Sequence, residues 1–256
     1  MLKLSPRKIT LLLSLAALAL LTANCAMLVM KGLGFELWGI VRLFDLDEEK
    51  NLPTFFSTAL AIIASGLLLA ISLIRKQMRR SWKLWASLSG LFLLVAMDEF
   101  IGVHEQLSTP VRDLLDAKGL LYFAWVIPYA FLVMLLAGIY GRFVFEMPPH
   151  IRNGLLLSAT LFLIGALGFE MLSGLLFEYS GFTKTMLFGA LATMKESCEI
   201  AGMILFIHTL MRHIEDVQKN ILIQLGTYDP MARIIRDAQK PLPHSLFRMD
   251  NNRAEP

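Results

Sequence analysis

Three apolar stretches of this chain carry acidic residues at spacings that could do chemistry. The first reads Ala96-Met97-Asp98-Glu99-Phe100-Ile101-Gly102-Val103-His104-Glu105, the second Gly168-Phe169-Glu170-Met171, the third Met194-Lys195-Glu196-Ser197-Cys198-Glu199. A charge at the centre of a bilayer costs roughly 2.5–3.5 kcal/mol even on lenient scales, so such residues face a bundle interior and mark function. Asp98, Glu99, Glu170, Glu196 and Glu199 stand against a single Lys195. In a low-dielectric site they cannot all be ionised unless protons or a cation sit among them. Carboxylates with one imidazole suit a divalent ion such as Zn, Mg, Mn or Fe, and these acids are the candidate metal ligands. His104, Glu105 and Lys195 are the candidate catalytic groups. Two other readings use the same residues: a proton or ion pathway, and a carboxyl network that only holds helices together.

The elements that must position these groups are membrane helices. Hydrophobic residues make up 56% and charged residues 18% of 256, against about 25% charge in a soluble domain. A span needs roughly 20 apolar residues. Six stretches qualify: approximately Ile9–Met30, Pro53–Ile74, Leu84–Val103, Leu120–Tyr140, Ile151–Phe177 and Met186–Met211. The expected fold is therefore an all-α, polytopic membrane bundle over 1–213, with a tail at 214–256 that starts helical and becomes disordered. The apolar run after Lys3, Arg7 and Lys8 exceeds a cleaved signal sequence and reads as a retained helix. Cys25 and Cys198 lie in apolar segments and read as small core residues. No basic tract or zinc-finger spacing points to nucleic acid.

Basic residues in short loops orient the spans. Arg75, Lys76, Arg79, Arg80 and Lys83 join spans two and three, and Arg142 and Arg152 join four and five, whereas the loop after span one carries Asp45, Asp47, Glu48 and Glu49. Both termini are expected in the cytoplasm, in the inner membrane of a bacterium. At 1.5 Å per residue, Asp98 and Glu99 lie about 22–24 Å above Lys83, Glu170 about 27 Å above Arg152, and Glu196 and Glu199 about 24 and 20 Å above Arg212. Asn24 falls near the same level, about 24 Å above Lys8. The acids of three helices thus converge in the outer half of the membrane. On a continuous third helix Asp98 and Glu105 share a face, with His104 on another side. Glu196 and Glu199 can reach one centre, and Lys195 could pair with Glu199.

The remaining features are read more plainly. The loop Lys31–Leu52 contains Phe35, Leu37, Trp38, Ile40, Val41, Leu43 and Phe44, a pattern for an interfacial amphipathic helix. Pro128 is expected to kink span four and free a carbonyl toward a cavity. His208 and His213 read as interfacial anchors, and Glu178 as a solvated helix end.

The string Met97-Asp98-Glu99-x4-His104-Glu105, followed by Trp125-Val126-Ile127-Pro128-Tyr129, resembles a group of bacterial membrane proteins of uncharacterised activity. Those share an isolated Glu in Gly-rich context and an acidic pair on a last helix. The resemblance covers roughly Leu84–Met211 and implies a six-helix membrane fold without implying a reaction. Intramembrane hydrolases of the alkaline ceramidase and adiponectin-receptor type hold zinc with three histidines, and this chain has one near its acids.

The preferred expectation is a metal-dependent enzyme, a hydrolase or group transferase acting on a lipid or other amphiphile among the membrane lipids. A bound ion would activate water or polarise an ester or phosphoryl oxygen. A transporter using the same acids is the alternative. Met97-Asp98-Glu99 and Met194-Lys195-Glu196, on oppositely directed spans, hint at an inverted repeat. A non-catalytic membrane subunit is the third reading.

Overall fold

The structure is a computed structural model that describes residues 5–35, 39–46 and 50–227, with side chains described except at 40, 41 and 220–227. The chain forms two units, 1–214 and 215–256. Of the second, only the helical residues up to Thr227 are described. The helix expected near Met231–Gln239 and the tail beyond it lie outside the described residues, as do Leu37, Trp38, Asp47, Glu48 and Glu49 of the first loop.

Among the described residues all regular structure is helical. The order is α1 (Pro6–Gly32), α2 (Ile40–Phe44), α3 (Leu52–Gln77), α4 (Lys83–Ile101), α5 (Val103–Leu115), α6 (Val126–Phe145), α7 (Pro149–Leu163), α8 (Glu170–Tyr179) and α9 (Met186–Thr227). Local chemistry sets several starts. Pro6 and Pro53 occupy first turns, where no N–H is needed, and Asn51 caps α3 by accepting the Thr54 N–H at 3.1 Å. Five helical stretches are long and apolar enough to cross a membrane: α1, α3, α4, α6, and the run of α7 through α8. Leu12, Phe131 and Met134 stand exposed on them. This is the pattern of a multi-pass membrane protein. The sixth predicted span lies within α9, where Lys195, Glu196 and Glu199 dilute its apolar character.

Three spans depart from uniform helix, each for a local reason. Span three stops at Ile101 because Gly102 adopts the left-handed conformation, φ 73°, and donates its N–H to the Asp98 carbonyl at 2.7 Å. Span four starts late. Gly119–Leu121 forms one 3₁₀ turn, and α6 begins only at Val126. Pro128 thus sits in the first turn of α6, where it initiates the helix, and the expected mid-span kink is absent there. Span five contains a π segment, Ile164–Phe169, directly before Glu170.

The core lies between α3, α4 and α9, where Leu60, Ala64, Ala96, Ile200 and Ile207 are buried together. Ser65 and Ser89 each donate a hydroxyl to the other's carbonyl, at 2.8 and 2.9 Å, tying α3 to α4. The π segment lies hard against α9, since a Cβ on Gly165 would meet the Lys195 carbonyl at 2.7 Å. In contrast, α6 buries only Val126. His208 and His213, read as interfacial anchors, make contacts within the helix packing. The His208 ring is 2.8 Å from the Thr10 hydroxyl, and His213 is buried and stacked on Trp85 with centroids 5.0 Å apart. Glu178, expected to be solvated, instead accepts the Gly119 N–H.

Candidate functional site

The break at Gly102 creates the first half of the site. It turns the chain back so that α5 begins beside the end of α4. The His104 backbone N–H, one of the orphan donors of a helix start, then reaches Asp98 Oδ1 at 2.9 Å. The imidazole Nδ1 lies 3.4 Å from Asp98 Oδ2. The same oxygen accepts the Tyr129 hydroxyl at 3.0 Å. A continuous helix was expected to carry His104 away from Asp98, with Glu105 on the Asp98 face. The left-handed glycine reverses that, and His104 is the partner of Asp98. Burial alone would push the His104 imidazole down. The hydrogen bond and charge of Asp98 outweigh it and raise its pKa above the ordinary value.

The second half is centred on α8 and α9. Glu170 follows the π segment and is buried. Its Oε1 accepts the Trp125 indole N–H at 3.0 Å, and its Oε2 accepts from Lys195 Nζ at 3.1 Å. Lys195 also lies 3.8 Å from Glu196 Oε1. The ammonium group thus provides a cation among the acids, placed between Glu170 and Glu196.

Aromatic rings join the halves. The His104 ring meets Trp125 edge-on with centroids 4.8 Å apart, and Trp125 meets Tyr129 at 5.1 Å. Contact therefore runs from Tyr129 and Asp98 through His104 and Trp125 to Glu170, Lys195 and Glu196. Asp98, Glu99, His104, Glu105, Glu170, Lys195, Glu196 and Glu199 all line one cavity of about 870 Å³. The predicted site residues thus share the lining of one cavity. Asn24 is not among them. It donates to Thr193 at 2.8 Å and accepts the Leu46 N–H at 3.1 Å, pinning the first loop to α1 and α9.

The carboxylates differ in what they have left to offer a metal. Asp98 and Glu170 have both oxygens engaged by protein donors. Glu199 Oε1 is buried without a hydrogen-bond partner. Glu99 and Glu199 also face a second void of about 20 Å³ against Ser57 and Met203, room for a single water or ion. Among the described residues, no group of three or more His, Cys, Asp or Glu is already gathered as a metal site.

Trp125 and Tyr129 were read only as part of an aromatic, proline-bearing segment. Their signal was present: four residues apart, with Trp125 at the N-cap of α6 and Tyr129 in its first turns, they place a polar edge of each ring toward the two carboxylates that a buried indole or phenol seeks.

No curated protein matches this chain, and neither does any solved structure. Residues 11–214 match a family described as Domain of unknown function (DUF8692), and the chain belongs to that family.

Proposed function

We propose that the protein is a membrane-embedded enzyme that hydrolyses, or transfers a group on, a lipid or similar amphiphile. In this reading the chain crosses the inner membrane of a bacterium six times, with both termini in the cytoplasm and the acidic site in the outer half of the membrane. One observation carries the reading: the Asp98–His104 pair stands at the polar end of a large, otherwise apolar cavity. A carboxylate on Nδ1 holds an imidazole in the tautomer whose Nε2 can accept a proton. His104 would take that proton from a water or an acceptor hydroxyl as its oxygen bonds to the ester or phosphoryl centre. Asp98 stabilises the resulting imidazolium, which returns the proton to the departing oxygen.

The Lys195–Glu170 pair supports this arrangement from below by fixing Trp125, on which the His104 ring rests. A divalent ion seated by Glu99, Glu196 and Glu199 would polarise the reacting oxygen. The orphaned Glu199 oxygen, and the small void that Glu199 shares with Glu99, support a position for the ion beside these two residues.

Two measurements test the reading. Purified protein in nanodiscs of bacterial phospholipid, followed by mass spectrometry, should release acyl or headgroup products. His104→Ala should slow that release by about 10²–10⁴-fold, the usual share of general acid–base catalysis. Elemental analysis should find a divalent metal that Glu99→Gln with Glu196→Gln removes. Neither turnover nor metal, together with solute uptake into proteoliposomes, would replace the enzyme with a carrier.

A further inference from the structure

We infer that the cavity between α4, α6, α7 and α9 is an acyl-chain slot for an anionic phospholipid, with its headgroup at the His104 end and its chain running down to Trp85. The inference rests on the enzyme reading above for its biological sense, but not for its geometry.

The slot runs along three helices. Below the polar residues it is lined on α4 from Asp98 to Trp85, on α6 from Tyr129 to Phe145, and on α9 from Lys195 to Leu210, and α9 continues the lining above Lys195 to Phe188. At 1.5 Å per residue the stretches below the polar residues are about 20, 24 and 22 Å. Between the ends the walls are apolar, with Phe92 and Val95, Val133 and Leu136, and Phe162 and Phe206. The far end is closed by Trp85, which meets Phe143 edge-on at 5.0 Å and is stacked by His213.

Its volume of about 870 Å³ is that of a small-molecule site, roughly 300–1,000 Å³. Protein interiors do not leave apolar space of that size unfilled, because the lining forfeits its dispersion contacts. α6 shows the consequence directly. Leu132 and Ala137, which line the slot, are exposed because they look onto it and not onto a neighbouring helix. A hydrocarbon chain is the occupant that restores those contacts inside a bilayer.

The polar end specifies the headgroup. Arg112 and Lys184 line the same cavity, held over aromatic faces: the Arg112 guanidinium carbon 4.6 Å from the Tyr122 centroid, Lys184 Nζ 5.7 Å from that of Phe188. Glu105 shares this rim. Arg112 also donates to the Thr109 hydroxyl at 3.4 Å and lies 4.0 Å from Asp113. Two cations on this rim, each set over a ring, would offer a phosphate charge-assisted hydrogen bonds.

Tryptophan fluorescence reads the chain directly. The four tryptophans are Trp38, Trp82, Trp85 and Trp125. Trp38→Phe, Trp82→Phe and Trp125→Phe leave Trp85 alone, buried at 1% exposure and shielded from bulk lipid. Phosphatidate brominated near its chain end should quench Trp85 saturably in detergent solution. Ala137→Phe with Ala159→Phe, which fill the slot, should abolish the quenching. Arg112→Gln with Lys184→Gln should weaken it about tenfold, and brominated phosphatidylcholine should bind correspondingly less well than phosphatidate. An unquenched Trp85, quenching that survives the filled slot, or equal response to the two lipids overturns the inference. Should the triple variant not fold, native mass spectrometry of the wild-type protein against the filled-slot variant gives the same decision, through retention or loss of bound phosphatidate. His104→Asn should retain quenching. Quenching in the single-tryptophan variant with no turnover by the wild-type protein retires the enzyme reading alone, and wild-type turnover without quenching retires the slot alone.

Discussion

His104 donates its backbone N–H to Asp98 Oδ1 at 2.9 Å while its ring Nδ1 lies 3.4 Å from Asp98 Oδ2, so one carboxylate both starts α5 and orients the imidazole. The two residues are six apart, a spacing no continuous helix brings face to face. Gly102 between them makes it possible, and the site's acid–base character depends on that turn.

Gly102→Ala should therefore act on both stability and the site. The residue has φ 73°, and a Cβ there costs about 1 kcal/mol of strain. Unfolding in mixed micelles should show a loss of that order, with the His104 resonance shifted toward its ordinary titration. A stable variant with unaltered His104 titration would show that the turn does not hold the pair.

The pH dependence of His104 has a definite sign. Its pKa is raised from 6.5 by Asp98, against the effect of burial. The ion pair thus contributes stability fully at pH below about 6.5, and the contribution disappears as pH rises through the raised folded value. Asp98→Asn should remove this dependence and drop the His104 pKa, because burial then acts unopposed. Imidazole titration by NMR checks both. A pKa at or below 6.5 in the unmodified protein would refute the pairing in solution.

Lys195→Met should be among the most damaging single substitutions. It strips the cation from Glu170 and Glu196, at 3.1 and 3.8 Å. Removing one partner of a buried ion pair costs about 3–5 kcal/mol. Adding Glu170→Gln should recover part of that loss, since the stranded charge is then gone. Equilibrium unfolding of the single and double variants measures the coupling, and additive losses would place Glu170 outside the cluster.

Topology is directly testable in intact cells. A cysteine introduced at Gln77, on a background with Cys25 and Cys198 replaced, should resist a membrane-impermeant maleimide, because the basic loop Arg75–Lys83 is expected inside the cell. A cysteine at Ser180, after α8, should react. The reverse labelling would move the acids to the inner half of the membrane.

The sequence by itself determined the helical, membrane-spanning class, because length and apolarity are properties of each segment alone. Residue rise along single helices likewise led to the expectation that Asp98, Glu170 and Glu196 lie near one level. What it could not determine was direction around the helix once the helix was interrupted. The left-handed Gly102 moved His104 onto Asp98, and the π segment that lies against α9 at Gly165 precedes Glu170. Either departure rotates every later side chain, and neither is written in hydropathy. The cavity is wholly a tertiary feature. It exists because α6, apolar enough to be legible as a span, buries only Val126 and meets α4 at Tyr129–Asp98 and at Phe143–Trp85, with the cavity between these contacts. Its polar end and tryptophan floor come from residues scattered from Trp85 to Leu210 that meet only when the bundle closes.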